Sequence, residues 1–180
     1  LQRRLKVTHF FLAVVCLVIT VLFPNADHIK AQVYSSLERT ALLALYNSTN
    51  GDTWLNKTGW NGAAGTECDW YGITCTSGEI TGLSLGYNNL SGSIPAELGN
   101  LSSLKSIRLY ANQLSGSIPS ELGNLTNLQT LTLYDNSLTG AIPGQLGNLT
   151  SLQRLWISSN SLTGSIPAEL GNLTSLQDLW

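Results

Sequence analysis

ITGLSLGYNNLSGSIPAELGNLSS, residues 80–103, runs without a gap into LKSIRLYANQLSGSIPSELGNLTN, residues 104–127, and the two agree position for position. The frame restarts at 128 and 152, and a fifth copy opens at 176 and reaches Trp180, so the period is 24 residues. The first position holds Ile80, Leu104, Leu128, Leu152 and Leu176, and the fourth holds Leu83, Ile107, Leu131, Leu155 and Leu179. Leu85, Leu109, Leu133 and Ile157 take the sixth, and Asn88, Asn112, Asn136 and Asn160 the ninth. Leu90, Leu114, Leu138 and Leu162 follow, and each complete copy closes on Ile-Pro (Pro95, Pro119, Pro143, Pro167) and Leu-Gly-Asn-Leu. Apolar residues two apart at the fourth and sixth positions have strand spacing, with both side chains on the inner side. A unit this short cannot bury its own apolar side, so the copies must stack into a solenoid. The Asn stands where the chain bends out of the strand. Its amide is expected to bond backbone groups of the bend and the next coil, which would otherwise be buried unpaired.

Upstream, residues 1–31 read as a signal peptide. Arg3, Arg4 and Lys6 precede an apolar run from Phe10 to Phe23, ended by Pro24. That run is short of the roughly 20 residues a membrane span needs, and a basic head with a short apolar body is a secretory pattern. Removing it takes four of nine basic residues (Arg3, Arg4, Lys6, Lys30) and one of eleven acidic ones (Asp27), leaving five against ten, or −5. His9 and His28 leave too. The remaining chain has no basic patch, which excludes nucleic acid as a partner class. With no histidine, no free nucleophile beside a base, and acids such as Glu97, Glu121 and Glu169 recurring at one repeat position on a common outer edge, neither an enzyme nor a metal or cofactor site is expected.

Residues 32–79 do not repeat and read as an N-terminal cap. Ser35 and Glu38 form a capping box, and Leu37, Ala41, Leu42, Ala44 and Leu45 give an apolar helix face that should end near Asn47. Trp54, Trp60 and Trp70 follow; they suit covering the bare side of the first coil, with a sugar site as the alternative. Cys68 and Cys75 are the only cysteines left after processing and are expected to pair as a disulfide.

Trp54, Trp60, the block Cys68-Asp-Trp70-Tyr-Gly72-Ile-Thr-Cys75 and the Leu-x-Gly-x-Ile-Pro repeats of 80–180 resemble the extracellular leucine-rich-repeat domains of plant receptor-like kinases and polygalacturonase-inhibiting proteins. The stretch from Tyr46 to Trp54 also resembles the cap of similar repeat proteins from algae and bacteria. The resemblance implies an α/β solenoid: a right-handed superhelix with a parallel sheet on the concave face, short 3-10 or helical turns on the convex side, and a disulfide-bearing helical cap. It implies a secreted or cell-surface module binding a protein, peptide or glycan on the concave face, as part of a receptor or adhesion protein. A secreted inhibitor of a cell-wall glycosidase and a structural surface protein are the alternatives. The last copy stops at Trp180 with no second apolar run after it, so the chain is expected to be a fragment, and any membrane contact to come from a segment beyond it.

The strand positions between the inward leucines face outward on the concave side. One column reads Gly82, Ser106, Thr130, Arg154, Asp178; the next reads Ser84, Arg108, Thr132, Trp156, Trp180. Beyond the strand come Gly86, Tyr110, Tyr134, Ser158 and then Tyr87, Ala111, Asp135, Ser159. Equivalent residues on neighbouring coils lie about 4.8 Å apart, which pairs Tyr110 with Tyr134 and Trp156 with Trp180. Tyr87, Arg108, Tyr110, Tyr134, Asp135, Arg154 and Trp156 are therefore the candidate ligand-binding residues, since exposed Tyr, Trp and Arg carry most interface energy. The competing reading makes Arg154 a partner of Asp178 and the aromatics sheet stabilisers. Sequons stand at Asn47, Asn56, Asn89, Asn100, Asn124, Asn148 and Asn172, the last four once per coil at the turn.

Overall fold

The computed structural model describes residues 26–180, with side chains from Ser36 onward. The signal segment expected over 1–31 lies, up to residue 25, outside the described residues. A compact unit spans Leu37–Trp180 and a separate one ends at Ser36. Helix α1, Ala26–Ser48, ends one residue beyond the expected Asn47 but begins well before Ser35. Ser35 is thus inside the helix and does not cap it. Glu38 looks forward instead, its Oε1 accepting a hydrogen bond from the Ile80 N–H at the mouth of the first coil.

The cap is a second small core. Trp54, Trp60 and Trp70 are buried with Tyr46 in a chain of ring contacts 4.8–5.2 Å apart. Each indole N–H is satisfied, by the Thr49 carbonyl, the Tyr71 carbonyl and the Thr66 hydroxyl respectively. Buried rings with occupied N–H groups cover the solenoid; no ring face is left open for a sugar. Arg39 ties α1 to the following loop: it pairs with Glu67, donates to the Gly62 and Ala63 carbonyls and lies over Trp70. Cys68 and Cys75 are disulfide-bonded, as expected.

Two strands carry the cap into the repeats. β1, Ile73–Thr76, pairs antiparallel with β2, Glu79–Ser84. Gly72 stands before β1 at φ +81°, where an added Cβ would lie 2.3 Å from the Ser84 carbonyl oxygen, so only Gly permits the approach. Beyond β2 the repeats add one parallel strand per coil: β4, Ser106–Arg108; β6, Thr130–Thr132; β8, Arg154–Trp156; β10, Asp178–Leu179. The expected all-parallel sheet therefore has an antiparallel edge supplied by the cap.

A second parallel sheet, absent from the sequence reading, runs through β3, Ser91–Ser93; β5, Gln113–Gly116; β7, Ser137–Ala141; and β9, Ser161–Thr163. Strands of three to five residues, rich in Gly and Ser, carry no alternating hydrophobic pattern, so periodicity could not reveal them. The convex side has the expected 3-10 turns, Ala96–Asn100, Ser120–Asn124, Gly144–Asn148 and Ala168–Asn172, each begun by the Pro of Ile-Pro. They stack closely: a Cβ on Gly99 would meet the Glu121 carbonyl oxygen at 2.4 Å, which is why the motif reads Leu-Gly-Asn-Leu.

Between the layers lies the leucine core, Leu83, Ile107, Leu131 and Leu155 with their sixth-position partners, almost wholly buried. The asparagines line it from the bend, and they reach backward. Asn136 Nδ2 donates to the carbonyls of Leu133 and Tyr134 in its own coil and of Leu109 in the preceding one, while its Oδ1 accepts the Leu114 N–H. Asn112 and Asn160 repeat this. The expected bond to the next coil runs instead to the previous one. At the start the ladder enters the cap, where Asn88 exchanges bonds with the backbone of Asn56.

Candidate ligand-recognition face

Strand alternation turns the residues between the leucines outward, and the register aligns Gly82, Ser106, Thr130, Arg154 and Asp178 in one row and Ser84, Arg108, Thr132 and Trp156 in the next. Past the strands, Tyr87, Ala111, Asp135 and Ser159 all adopt positive φ, 52–57°, as the chain bends toward the Asn ladder.

The aromatic side chains form one continuous run. Tyr110 stacks on Tyr134, with centroids 4.8 Å apart and planes 7° from parallel, and Trp156 contacts Trp180 at 5.7 Å. Tyr87 and Tyr110 meet T-shaped at 5.4 Å, and Tyr134 meets Trp156 at 6.0 Å. The last two contacts cross from one column to another and were not legible from column positions. Gly86 makes room for the run, since an added Cβ would sit 2.7 Å from the Tyr110 ring.

Between coils two and four the face sinks into a depression of about 220 Å³ lined by Arg108, Tyr110, Thr130, Thr132, Tyr134, Arg154 and Trp156. A neighbouring hollow of about 310 Å³ is lined by Tyr134, Trp156, Ser158 and Trp180 and is mainly apolar. Thr130 and Thr132 form the floor of the first and are buried, which corrects the expectation that every outward strand position meets solvent. The longer side chains around them close over them. Burial raises the Tyr134 phenol above its ordinary pKa, helped by Tyr110, Tyr87 and Asp135, so the ring keeps its O–H as a donor.

Six of the seven candidate residues gather along this run. Arg108, Tyr110, Tyr134, Arg154 and Trp156 line the depression; Tyr87, 69% exposed, extends the run toward the cap. Asp135 is exposed in the bend and does not line it. Arg154 also makes the competing contact, its Nε donating to Asp178 at 3.3 Å. Of the sequons, Asn47, Asn100, Asn124, Asn148 and Asn172 are exposed, whereas the side chains of Asn56 and Asn89 are engaged with Thr58, and with Thr53 and Gln113. Among the described residues no helix is long and apolar enough to cross a membrane.

Residues 83–180 match the family model described as "Leucine-rich repeat region", and residues 35–76 match "Leucine rich repeat N-terminal domain". Among curated proteins the chain is 35% identical over 81 residues to the leucine-rich repeat receptor protein kinase EMS1 of Arabidopsis thaliana, a match covering 44% of this chain and 7% of that protein. Among solved structures it is similar to the BIR2 ectodomain from Arabidopsis thaliana, at 33% identity and TM-score 0.69, covering 77% of this chain and 75% of that one. It is also similar to PEPR1 in its complex with AtPEP1, at 34% identity and TM-score 0.68, covering 77% of this chain and 20% of that chain.

Proposed function

The chain belongs to the leucine-rich-repeat family, and from that premise we propose that it is an extracellular recognition module which binds a protein or peptide along its concave aromatic face, within a receptor-like protein. The observation that carries the reading is the unbroken run from Tyr87 to Trp180, flanked by Arg108 and Arg154. Outward aromatics and arginines at one surface are what interfaces concentrate, and a sheet needs no such run to hold together. The PEPR1–AtPEP1 complex is the kind of assembly this reading extends to the present chain. A disulfide and a basic-headed apolar leader support an exported protein. The work of this module is recognition, not catalysis.

The test is direct. Peptides selected from a phage-displayed random library on the full chain should lose at least about tenfold in affinity when Tyr110, Tyr134 and Trp156 are together replaced by Ala. The variant should keep its circular dichroism and most of its thermal stability, because all three rings lie outside the leucine core. Unchanged affinity would sink the proposal.

A further inference from the structure

Thr132 stands at the centre of the concave sheet, 4% exposed, and its Oγ1 meets no hydrogen-bond partner. The Trp156 Nε1 lining the same depression is likewise buried and unpartnered. A buried polar group without a partner costs about 1–3 kcal/mol, so two on the floor and wall of one hollow mark a place that a ligand atom can complete. The surrounding groups are of one kind. Arg108 brings a fork of N–H donors and makes no ion pair among the described residues. The indole N–H only donates, and the Tyr134 phenol keeps its proton. The nearby carboxylates do not answer them: Asp178 is held by Arg154, and Asp135 lies outside the depression. The hollow is rich in donors and carries an arginine with no counter-ion.

We propose that this depression receives the carboxylate of an Asp or Glu side chain in an extended peptide, with an apolar side chain two positions away entering the hollow beside Trp180. The proposal rests on the concave face being the recognition surface. An extended chain repeats its side chains on one side about every 7 Å, which carries the second side chain one to two coils on, from Arg108 and Thr132 toward Trp156 and Trp180. A peptide is favoured over an acidic polysaccharide by the rings themselves. Tyr110 and Tyr134 spend their facing sides on each other, and Tyr87 meets Tyr110 in a T-shaped contact. Each ring of the stacked pair has one face taken by the other, so neither offers that face to a pyranose.

The experiment uses the full chain and arrays of N-acetylated, C-amidated peptides bearing Glu-x-Leu, Gln-x-Leu, Lys-x-Leu or Glu-x-Ser at their centres, with oligogalacturonate titrated in parallel. Glu-x-Leu peptides should bind at least about tenfold more tightly than their Gln counterparts. Arg108→Gln should erase that preference, and Arg108→Lys should keep part of it; matching thermal melts show that each variant folds. Equal binding of Glu and Gln peptides overturns the carboxylate, as does a Glu preference that survives Arg108→Gln or an absence of binding to every array peptide. Saturable binding of oligogalacturonate alone, lost in Arg108→Gln, replaces the peptide by an acidic glycan. If library-selected peptides still depend on Tyr110, Tyr134 and Trp156 while Glu and Gln are indistinguishable, the recognition face stands and this inference fails by itself.

Discussion

Asn136 shows what one side chain does in this architecture. Its amide bonds three carbonyls and one N–H at the bend out of the strand. Replacing it with Ala takes the acceptor from the Leu114 N–H, while the Leu109, Leu133 and Tyr134 carbonyls keep donors from Asn112, Asn160 and Ala111; the buried N–H left without a partner costs about 1–3 kcal/mol. Asn136→Ala is therefore expected to cost about 1–3 kcal/mol in urea unfolding, more than removing an exposed Ser from the same coil. Glu38 is a second such case. Burial raises its pKa above the ordinary carboxylate value, the Ile80 N–H lowers it in part, and Glu79 and Glu67 raise it further. Between the unfolded and folded pKa values the native state holds the extra proton, so stability is full below about pH 4.5 and falls as pH rises through the folded value. Glu38→Gln keeps an acceptor for Ile80 and removes the titration. Its urea midpoint should exceed that of the wild type at pH 7, and the two should converge near pH 4; parallel pH profiles would refute this account.

At the scale of elements, the cap and the first coil depend on each other. α1, the tryptophan cluster and β1 give Ile80 and Leu83 the cover that coil one lacks on its outer side. The Cys68–Cys75 bond closes a short loop within that cover, and a loop of this length contributes about 2.5 kcal/mol through the unfolded chain. Cys68→Ser with Cys75→Ser should lower the thermal midpoint of the whole chain rather than melt the cap separately, because stacked units unfold cooperatively with their neighbours. A separate low-temperature transition in calorimetry would show the cap to be independent. The helix start, the antiparallel β1 edge and the second sheet were hidden in the sequence for a common reason: each follows from what packs against the segment, not from its own residue pattern.

Across the whole molecule cover differs from segment to segment. Leu131 and Leu133 are fully buried between neighbouring coils, and Thr130–Thr132 pairs with a strand on each side, whereas Ser77 and Gly78 form an exposed turn between β1 and β2. Local opening should follow that difference. Hydrogen exchange is expected to be slowest in Thr130–Thr132 and faster at Ser77–Gly78; equal protection of the two would argue against this account.

Period, inward leucines, the Asn bend and the column neighbours Tyr110 with Tyr134 and Trp156 with Trp180 were all determined by the sequence alone, because a strict repeat makes local pattern and long-range geometry the same thing. Tertiary structure decided where that identity fails: the direction of the Asn bonds, the burial of Thr130 and Thr132, the step from Tyr134 across to Trp156, and Asp135 falling outside the depression. These depend on how side chains of unequal length settle over neighbouring coils, and a column of letters does not record that height.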